Sequence, residues 1–210
     1  MKALVIIGGG GMGRSVFYIA KGCRGYGTEF CIKGFIDDDL SSLDGFEGYP
    51  PVLDTIEHYV IQPEDVFVCS IGNVRTKKQI CEKLKERGAR FHTLIHDTAI
   101  VRQNAIIGDG TIVADYASVG ADCKVGECSL IQSYAIVAHD CIIGDYVRID
   151  THAVCVGGVV LKNLVTIHTG AVVSHGVIVE ESSVVAATSF VIKKVKTGTT
   201  VWGNPAKILN

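Results

Sequence analysis

The sequence predicts a two-part fold: a small three-layer α/β domain over residues 1–94, then a parallel β-helix of six-residue repeats over residues 95–210. Two observations predict it. In the first part short apolar runs alternate with amphipathic stretches. From Ile95 onward an apolar residue returns at every sixth position, through Val101, Ile107, Val113, Val119, Val125, Ile131, Val137, Ile143, Ile149, Cys155, Leu161, Ile167, Val173 and Val179 to Val185, without an insertion. The position two residues earlier is held by small or β-branched residues, from Ala99 and Ala105 to Val177 and Ser183. Neither a helix nor a single strand keeps a period of six for so long. A solenoid does, because each short strand faces inward, turns a corner and stacks on its equivalent in the next coil.

The elements of the first part follow in order. Lys2 to Ile7 is an almost wholly apolar run that ends in Gly8-Gly-Gly-Gly-Met-Gly13, the pattern of a buried parallel strand. Arg14 to Lys21 carries the helical face Val16, Phe17, Ile19 and Ala20, and Gly34 to Asp38 reads as a second strand ending in acids. Asp54-Thr-Ile-Glu57 has capping-box spacing and predicts a short helix stopped by Pro63. Asp65 to Ile71 is a further strand. Asn73 caps a helix with the face Thr76, Ile80, Cys81 and Leu84, Gly88 ends it, and Arg90 to Leu94 is a last strand. In the solenoid, Gly108, Gly120, Gly126 and Gly144 directly follow the apolar position, where a corner would call for a permissive backbone. After residue 172 that place holds Ser174, Glu180 and Ala186, which predicts irregular final coils.

Composition excludes several classes of function. The chain has 20 Lys and Arg against 22 Asp and Glu, balanced in both parts, so it lacks the basic excess of a nucleic-acid surface or a polybasic membrane patch. The eight cysteines include no CxxC pair, and most sit in apolar runs as small hydrophobes. That usage predicts a reducing cytoplasm without disulfides or a zinc site. The first apolar run is too short for a signal-peptide core or a membrane span.

Several pieces, in their order and spacing, resemble the NeuD/PglD-type sugar O- or N-acyltransferases of the left-handed β-helix (hexapeptide repeat) superfamily. They are Val5-Ile-Ile-Gly-Gly-Gly-Gly-Met-Gly13, Gly34-Phe-Ile-Asp-Asp-Asp39, Ser70-Ile-Gly-Asn73 with Arg75, Leu94-Ile-His96, His139-Asp-Cys-Ile-Ile-Gly-Asp145 and Gly203-Asn-Pro-Ala-Lys207. The resemblance covers essentially the whole chain. It implies a Rossmann-like N-terminal domain holding a nucleotide-linked amino sugar of the 4-amino-dideoxy type, and a left-handed β-helix with three hexads per coil. It further implies a homotrimer with acetyl-CoA, as cosubstrate, in the groove between neighbouring helices, and a place in glycan or polysaccharide biosynthesis.

The same resemblance makes His139 the general base and Asp140 the acid that orients it. An imidazole suits that task because it titrates near neutrality and the acceptor must lose a proton as it attacks the thioester. Its register beside inward-facing Val137 and Cys141 puts His139 at the surface. Nine residues on, where several relatives carry a second histidine, this chain has Arg148, which could offer donors to a developing oxyanion. Gly8, Gly10, Gly11 and Gly13 follow a strand and open a helix, a loop that offers N–H groups to a phosphate. Asp37, Asp38, Asn73 and Arg75 complete the implied substrate set. Asp37 and Asp38 read equally as a plain strand-to-turn boundary. Lys193, Lys194 and Lys196 are candidate contacts for coenzyme phosphates, or a solvated charge run. Trp202 and Pro205 are candidate groove residues on the resemblance of the tail.

Rival readings stay open at this point. They are O-acetylation of sialic acid or a related sugar, a non-catalytic nucleotide-sugar binding protein, and a metal-dependent enzyme like the hexapeptide carbonic anhydrases. For the last, His139 and His175 stand two coils apart, but the third ligand position is Glu180. His152, His168 and His175 read as exposed corner residues. Tyr116, Tyr134 and Tyr146 read as aromatic contacts on the exterior of the solenoid.

Overall fold

The computed structural model describes residues 1–209. Strands β1 (Lys2–Ile7), β2 (Phe30–Ile36), β3 (Val52–Asp54) and β4 (Asp65–Cys69) form one parallel sheet in the order β3-β2-β1-β4. Side chains alternate across it, so Leu4 and Ile6 of β1 meet Val16, Phe17 and Ala20 of helix α1 (Gly11–Lys21). Val5 and Ile7 meet Cys81 and Leu84 of helix α2 (Val74–Glu86) on the opposite face. Both faces are covered, which is why β1 reads as a continuous apolar run. The strand order reverses between β1 and β4, leaving a crevice at their carboxyl ends.

Three sequence expectations change here. No helix follows Asp54. Instead Val52–Asp54 pairs with β2 and residues 55–58 form a turn, because the Tyr59 hydroxyl donates to buried Asp65 (2.7 Å) and ties the short segment down before Pro63. Residues 90–93 add no full strand. They make an isolated bridge, with His92 N–H donating to Phe67 O (2.9 Å), and Leu94–Ile95 is the first strand of the solenoid. In α2 the buried stripe is Lys77, Cys81 and Leu84, with Thr76 exposed. That is an i, i+4, i+7 face one residue away from the expected one. Asn73 caps the helix as expected, its Oδ1 accepting from the N–H of Arg75 (3.1 Å) and Thr76 (3.0 Å).

Asp65 anchors this domain from within. It is 1% exposed and accepts from Lys33 Nζ (2.8 Å), Tyr59 Oη (2.7 Å) and Gln62 N–H (2.8 Å). Burial opposes its charge, but Lys33 and the other donors outweigh it and hold the carboxyl below its ordinary range. A depressed folded-state value contributes stability above the unfolded pKa of about 4, and that contribution is lost as pH falls through the folded value. Asp65→Asn is therefore expected to destabilise the protein by about 3 kcal/mol at neutral pH, leaving Lys33 without its partner. Urea unfolding of both proteins at stepped pH checks this, the difference shrinking below about pH 4.

The second part is a parallel solenoid with a coil of eighteen residues, as in Leu130 opposite Arg148, Ile136 opposite Val154 and Ile142 opposite Val160. Its two-residue strands make three faces. The first face runs from Leu94 through Ile112, Leu130, Arg148 and Thr166 to Val184, the second carries Ile100, Ile136 and Val154, and the third carries Ile106, Ile142 and Val160. Inside, Val119, Val137, Cys155 and Val173 stack beside Cys123, Cys141, Val159 and Val177. Burial pushes the Cys141 thiol up to about 11, so these cysteines serve as core atoms.

The corners correct the expected role of the glycines. Left-handed backbone belongs to residues such as Tyr116, Asp122, Tyr134, Asp140 and His152, at φ of 56–61°. Gly120 needs its missing side chain for a different reason, since a Cβ there would lie 2.7 Å from the Ala138 carbonyl carbon of the next coil. Nor are the coils after residue 172 irregular. Val172 pairs with Phe190 and Val173 with Val191, so pairing between coils does not depend on the glycine. The chain leaves the repeat only beyond Val191, returning as the strand Thr200–Trp202, on which Lys207–Ile208 folds back antiparallel.

The α/β domain sits on the first face. Leu94, Ile112 and Leu130 join the α1-side core, while the corner residues Cys128, Tyr146 and Leu164 join the α2-side core. Lys85 of α2 bridges to Glu127 at 2.7 Å. Tyr146 is thus buried between the two parts rather than exterior, because twelve residues from Tyr134 is two hexads and a different corner. Tyr116 and Tyr134 do stack on the exterior (5.0 Å between ring centroids), followed by His152 at 5.1 Å. The second and third faces carry no covering element, and Ile100, Ile106, Ile136 and Ile142 are exposed. Among the described residues no helix is long and apolar enough to cross a membrane.

Candidate active site

His139 stands on the corner between the second and third faces, the corner opposite the face that carries the α/β domain. Its Nδ1 lies 2.7 Å from Asp140 Oδ2. Neighbouring side chains diverge on a strand, but Asp140 has φ of 59°, and this left-handed turn swings its carboxylate back beside the imidazole. Asp tolerates that conformation better than most residues. Since a carboxylate can only accept, Nδ1 carries the hydrogen and Nε2 presents a lone pair to solvent. Both side chains are well exposed.

The next coil supplies the floor of this corner. A Cβ on Gly157 would lie 2.5 Å from His139 Cε1 and 2.7 Å from Nε2, so the imidazole rests where a side chain would otherwise be. One coil further His175 stands exposed on the same corner, its Cε1 3.6 Å from where a Cβ on Gly158 would lie. Beyond Val191 the eighteen-residue register ends, Val195 pairing with Val179, and Lys193 and Lys194 are exposed there. Lys194 pairs with Glu180 (2.6 Å), and Lys196 is exposed nearby. Trp202, 57% exposed, ends the strand stacked on the first face, and Pro205 lies in the turn whose Gly203 and Ala206 bond Phe190 of the second face.

Gly157→Ala is expected to displace the His139 ring while leaving the coil intact, because Gly157 has no left-handed φ and the clash is with a movable side chain. A fall in kcat of tenfold or more with a thermal midpoint near wild type is the expected result, since positioned general bases contribute ~10²–10⁴-fold.

A second set of candidates gathers at the carboxyl ends of β1 and β4. Gly8 has φ of 97°, and α1 starts at Gly11 with Gly10 as a cap that makes no side-chain hydrogen bond, so the first-turn N–H groups are open. Gly13 packs tightly, its Cβ position being 1.9 Å from Gly8 O. Asp37 shapes this loop directly, Oδ2 accepting from Gly9 N–H (2.6 Å) and Oδ1 from Asp39 N–H (2.9 Å). Asp38 Oδ1 accepts from Ile56 N–H (3.1 Å). Sequence reasoning missed Ser42, whose buried Oγ has no partner and lies 2.2 Å from the Cβ position of Gly9. Nothing in the turn Ser41-Ser42 signalled it.

The crevice continues into a cavity of about 320 Å³ between the two parts, lined among others by Asn73, Arg75, Arg148, Thr166 and His168. Arg148 is therefore far from the His139 of its own chain and close to the α/β domain, with Nη1 donating to Gly72 O (3.2 Å). His168 is not an exposed corner residue. It is half-buried on the first face, with Nδ1 2.9 Å from Oδ2 of buried Asp150. The one available signal for this cluster was the eighteen-residue spacing of Gln132, Asp150 and His168, each directly after an inward-facing isoleucine.

Two families match the chain: the PglD N-terminal domain over residues 3–84 and the bacterial transferase hexapeptide (six repeats) over residues 122–157. The acetyltransferase domain of PglB from Neisseria gonorrhoeae FA1090 is 31% identical, with a TM-score of 0.90 and 100% of both chains covered. PerB from Caulobacter crescentus, solved in complex with CoA and GDP-perosamine, is 25% identical, with a TM-score of 0.90 and coverage of 100% of this chain and 98% of that one. The UDP-N-acetylbacillosamine N-acetyltransferase of Bacillus subtilis (strain 168) is 30% identical over 117 residues, 54% of this chain and 51% of that protein. The match thus spans about half the length of that curated relative. With the α/β domain, the hexapeptide solenoid and full-length likeness together, the chain belongs to the PglD-type acyltransferases of the hexapeptide-repeat, left-handed β-helix superfamily.

Proposed function

We propose that the protein transfers an acetyl group from acetyl-CoA to the amino group of a nucleotide-linked amino-dideoxy sugar, with His139 as general base. The observation that carries this reading is the His139–Asp140 pair at an exposed corner, the imidazole seated over Gly157 of the next coil. Relatives of the same fold carry the names of an acetyltransferase domain, a CoA and GDP-perosamine complex and a UDP-sugar N-acetyltransferase, which supports the choice of donor and acceptor. Acetyl-CoA supplies the activated thioester. His139 Nε2 takes the proton of the acceptor nitrogen as that nitrogen bonds to the acetyl carbon. Asp140 stabilises the resulting imidazolium, as a triad carboxylate does. The carbon–sulfur bond then breaks and the imidazolium returns the proton to the leaving thiolate.

The open N–H groups of α1 and the orphan Ser42 hydroxyl fit the diphosphate of the acceptor. The groove between neighbouring helices fits an extended pantetheine arm, and Lys193, Lys194 and Lys196 fit coenzyme phosphates as point charges. The sugar crevice and His139 lie on opposite sides of one solenoid, so each active site would draw on two protomers. That requirement, with the uncovered isoleucines of the second and third faces, supports a homotrimer closed about its axis. The test is release of free thiol from acetyl-CoA with a panel of nucleotide-linked amino sugars, free amino sugars and free sialic acid. Turnover confined to the nucleotide-linked amines is expected, and silence across the panel would sink the enzyme reading.

A further inference from the structure

Acetyl transfer leaves one built constellation unused. Asp150 is 4% exposed and lies beneath the junction cavity without lining it. Its Oδ1 accepts from Arg148 Nε (2.5 Å) and Gln132 Nε2, and its Oδ2 accepts from His168 Nδ1 (2.9 Å). Every oxygen of the carboxylate is thus committed to holding a side chain in place. Arg148 has five N–H donors, of which Nε binds Asp150 and one on Nη1 binds Gly72 O, leaving three free to meet a ligand. His168 lines the cavity and is held in place by its Nδ1 contact with Asp150. Arg75 lines the same space and no acidic residue does.

We propose that this cavity is an anion subsite of the acceptor, in which Arg148, beside His168 and Arg75, grips a charged oxygen group, either a phosphate of the nucleotide or a carboxylate on the sugar. The proposal rests on the acetylation reading for its acceptor and adds what that acceptor must carry. The guanidinium fork matches both groups in two-point geometry. Asp150 offsets the charge of Arg148, so the arginine is not a buried cation without a partner before the ligand arrives. The inward charge balance then comes from Arg75, which gives the cavity its net attraction for an anion. A cavity of about 320 Å³ suits a small group of this kind. Asp150 touches no ligand and is a positioning residue that acts through Arg148 and His168.

The test is calorimetric binding of sodium pyrophosphate and, separately, sodium glucuronate to the intact protein and to Arg148→Met, Arg75→Gln and Asp150→Asn. Arg148→Met is expected to weaken at least one of the two anions by roughly tenfold or more, the scale of one charge-assisted hydrogen bond. Loss for pyrophosphate assigns the subsite to the nucleotide, and loss for glucuronate assigns it to the sugar. Only the Arg148-dependent part counts, because pyrophosphate also fits the glycine loop. Asp150→Asn is expected to raise the acceptor KM while kcat and the acetyl-CoA KM stay near wild type, a split that a purely structural defect would not give. Binding of both anions unchanged in Arg148→Met overturns the proposal, as does a rise in the acetyl-CoA KM alone. Should Arg148→Met fail to fold, Arg75→Gln, at an exposed residue that supplies the net attraction, carries the same decision. Thiol release with variant-independent anion binding would remove the subsite and keep the acetylation reading. Arg148-dependent anion binding without thiol release would do the reverse.

Discussion

His139→Ala is expected to lower kcat by ~10²–10⁴-fold, the usual contribution of a positioned general base. The ring is exposed at a corner, with Val137 and Cys141 filling the core on either side, so its removal opens no internal cavity. Stability should change by less than about 0.5 kcal/mol. Dissociation constants for acceptor and coenzyme should move little, since the proposed reading assigns their binding to the glycine loop and the lysines rather than to His139. His175→Ala is the matched control, an exposed histidine two coils away on the same corner. Steady-state kinetics with both binding constants separates the outcomes. Near-wild-type kcat in His139→Ala would remove the base. Equal loss in both variants together with a bound metal would point to metal chemistry at this corner instead.

The second large effect is expected from Gly13→Ala. A Cβ there would sit 1.9 Å from Gly8 O and 2.9 Å from Gly8 C, a clash with backbone that no rotamer relieves. The loop must move away from α1, and the N–H groups that would face the diphosphate move with it. Overpacking of this kind costs about 1–3 kcal/mol. The acceptor KM should rise by tenfold or more while the acetyl-CoA KM, set on the solenoid, stays near wild type. That split is the diagnostic feature, and parallel rises of both constants would show that the glycine loop is not an acceptor site.

The solenoid was legible in the sequence because its period is enforced by geometry: each sixth residue must enter a core with room for Val, Ile or Cys and little else. The exposed position of His139 followed from the same register. Where a neighbouring element decides, the sequence was less informative. The Asp54-Thr-Ile-Glu57 pattern satisfies a local capping rule, yet Tyr59 is recruited by Asp65 and the segment turns instead. Lys77 replaces Thr76 in the core because the face of α2 is fixed by contacts with the solenoid, which no local periodicity contains. Arg148 read as an acyl-site candidate and His168 as an exposed corner residue eighteen positions from Asp150. Stacking of coils brings Gln132, Asp150 and His168 into one column, and only the docked α/β domain closes the cavity above them.

The central claim is that one catalytic site combines His139 of one protomer with the sugar crevice of another. Co-expression of differently tagged His139→Ala and Gly13→Ala chains, followed by isolation of the mixed oligomer and an assay of thiol release, tests it most directly. At acceptor concentrations well below KM each parent is expected to be poorly active alone, and a mixed trimer of either composition should carry one intact site in three. A mixed oligomer as inactive as its parents would contradict the claim, because a site contained within one chain cannot be rebuilt from two chains that are each defective.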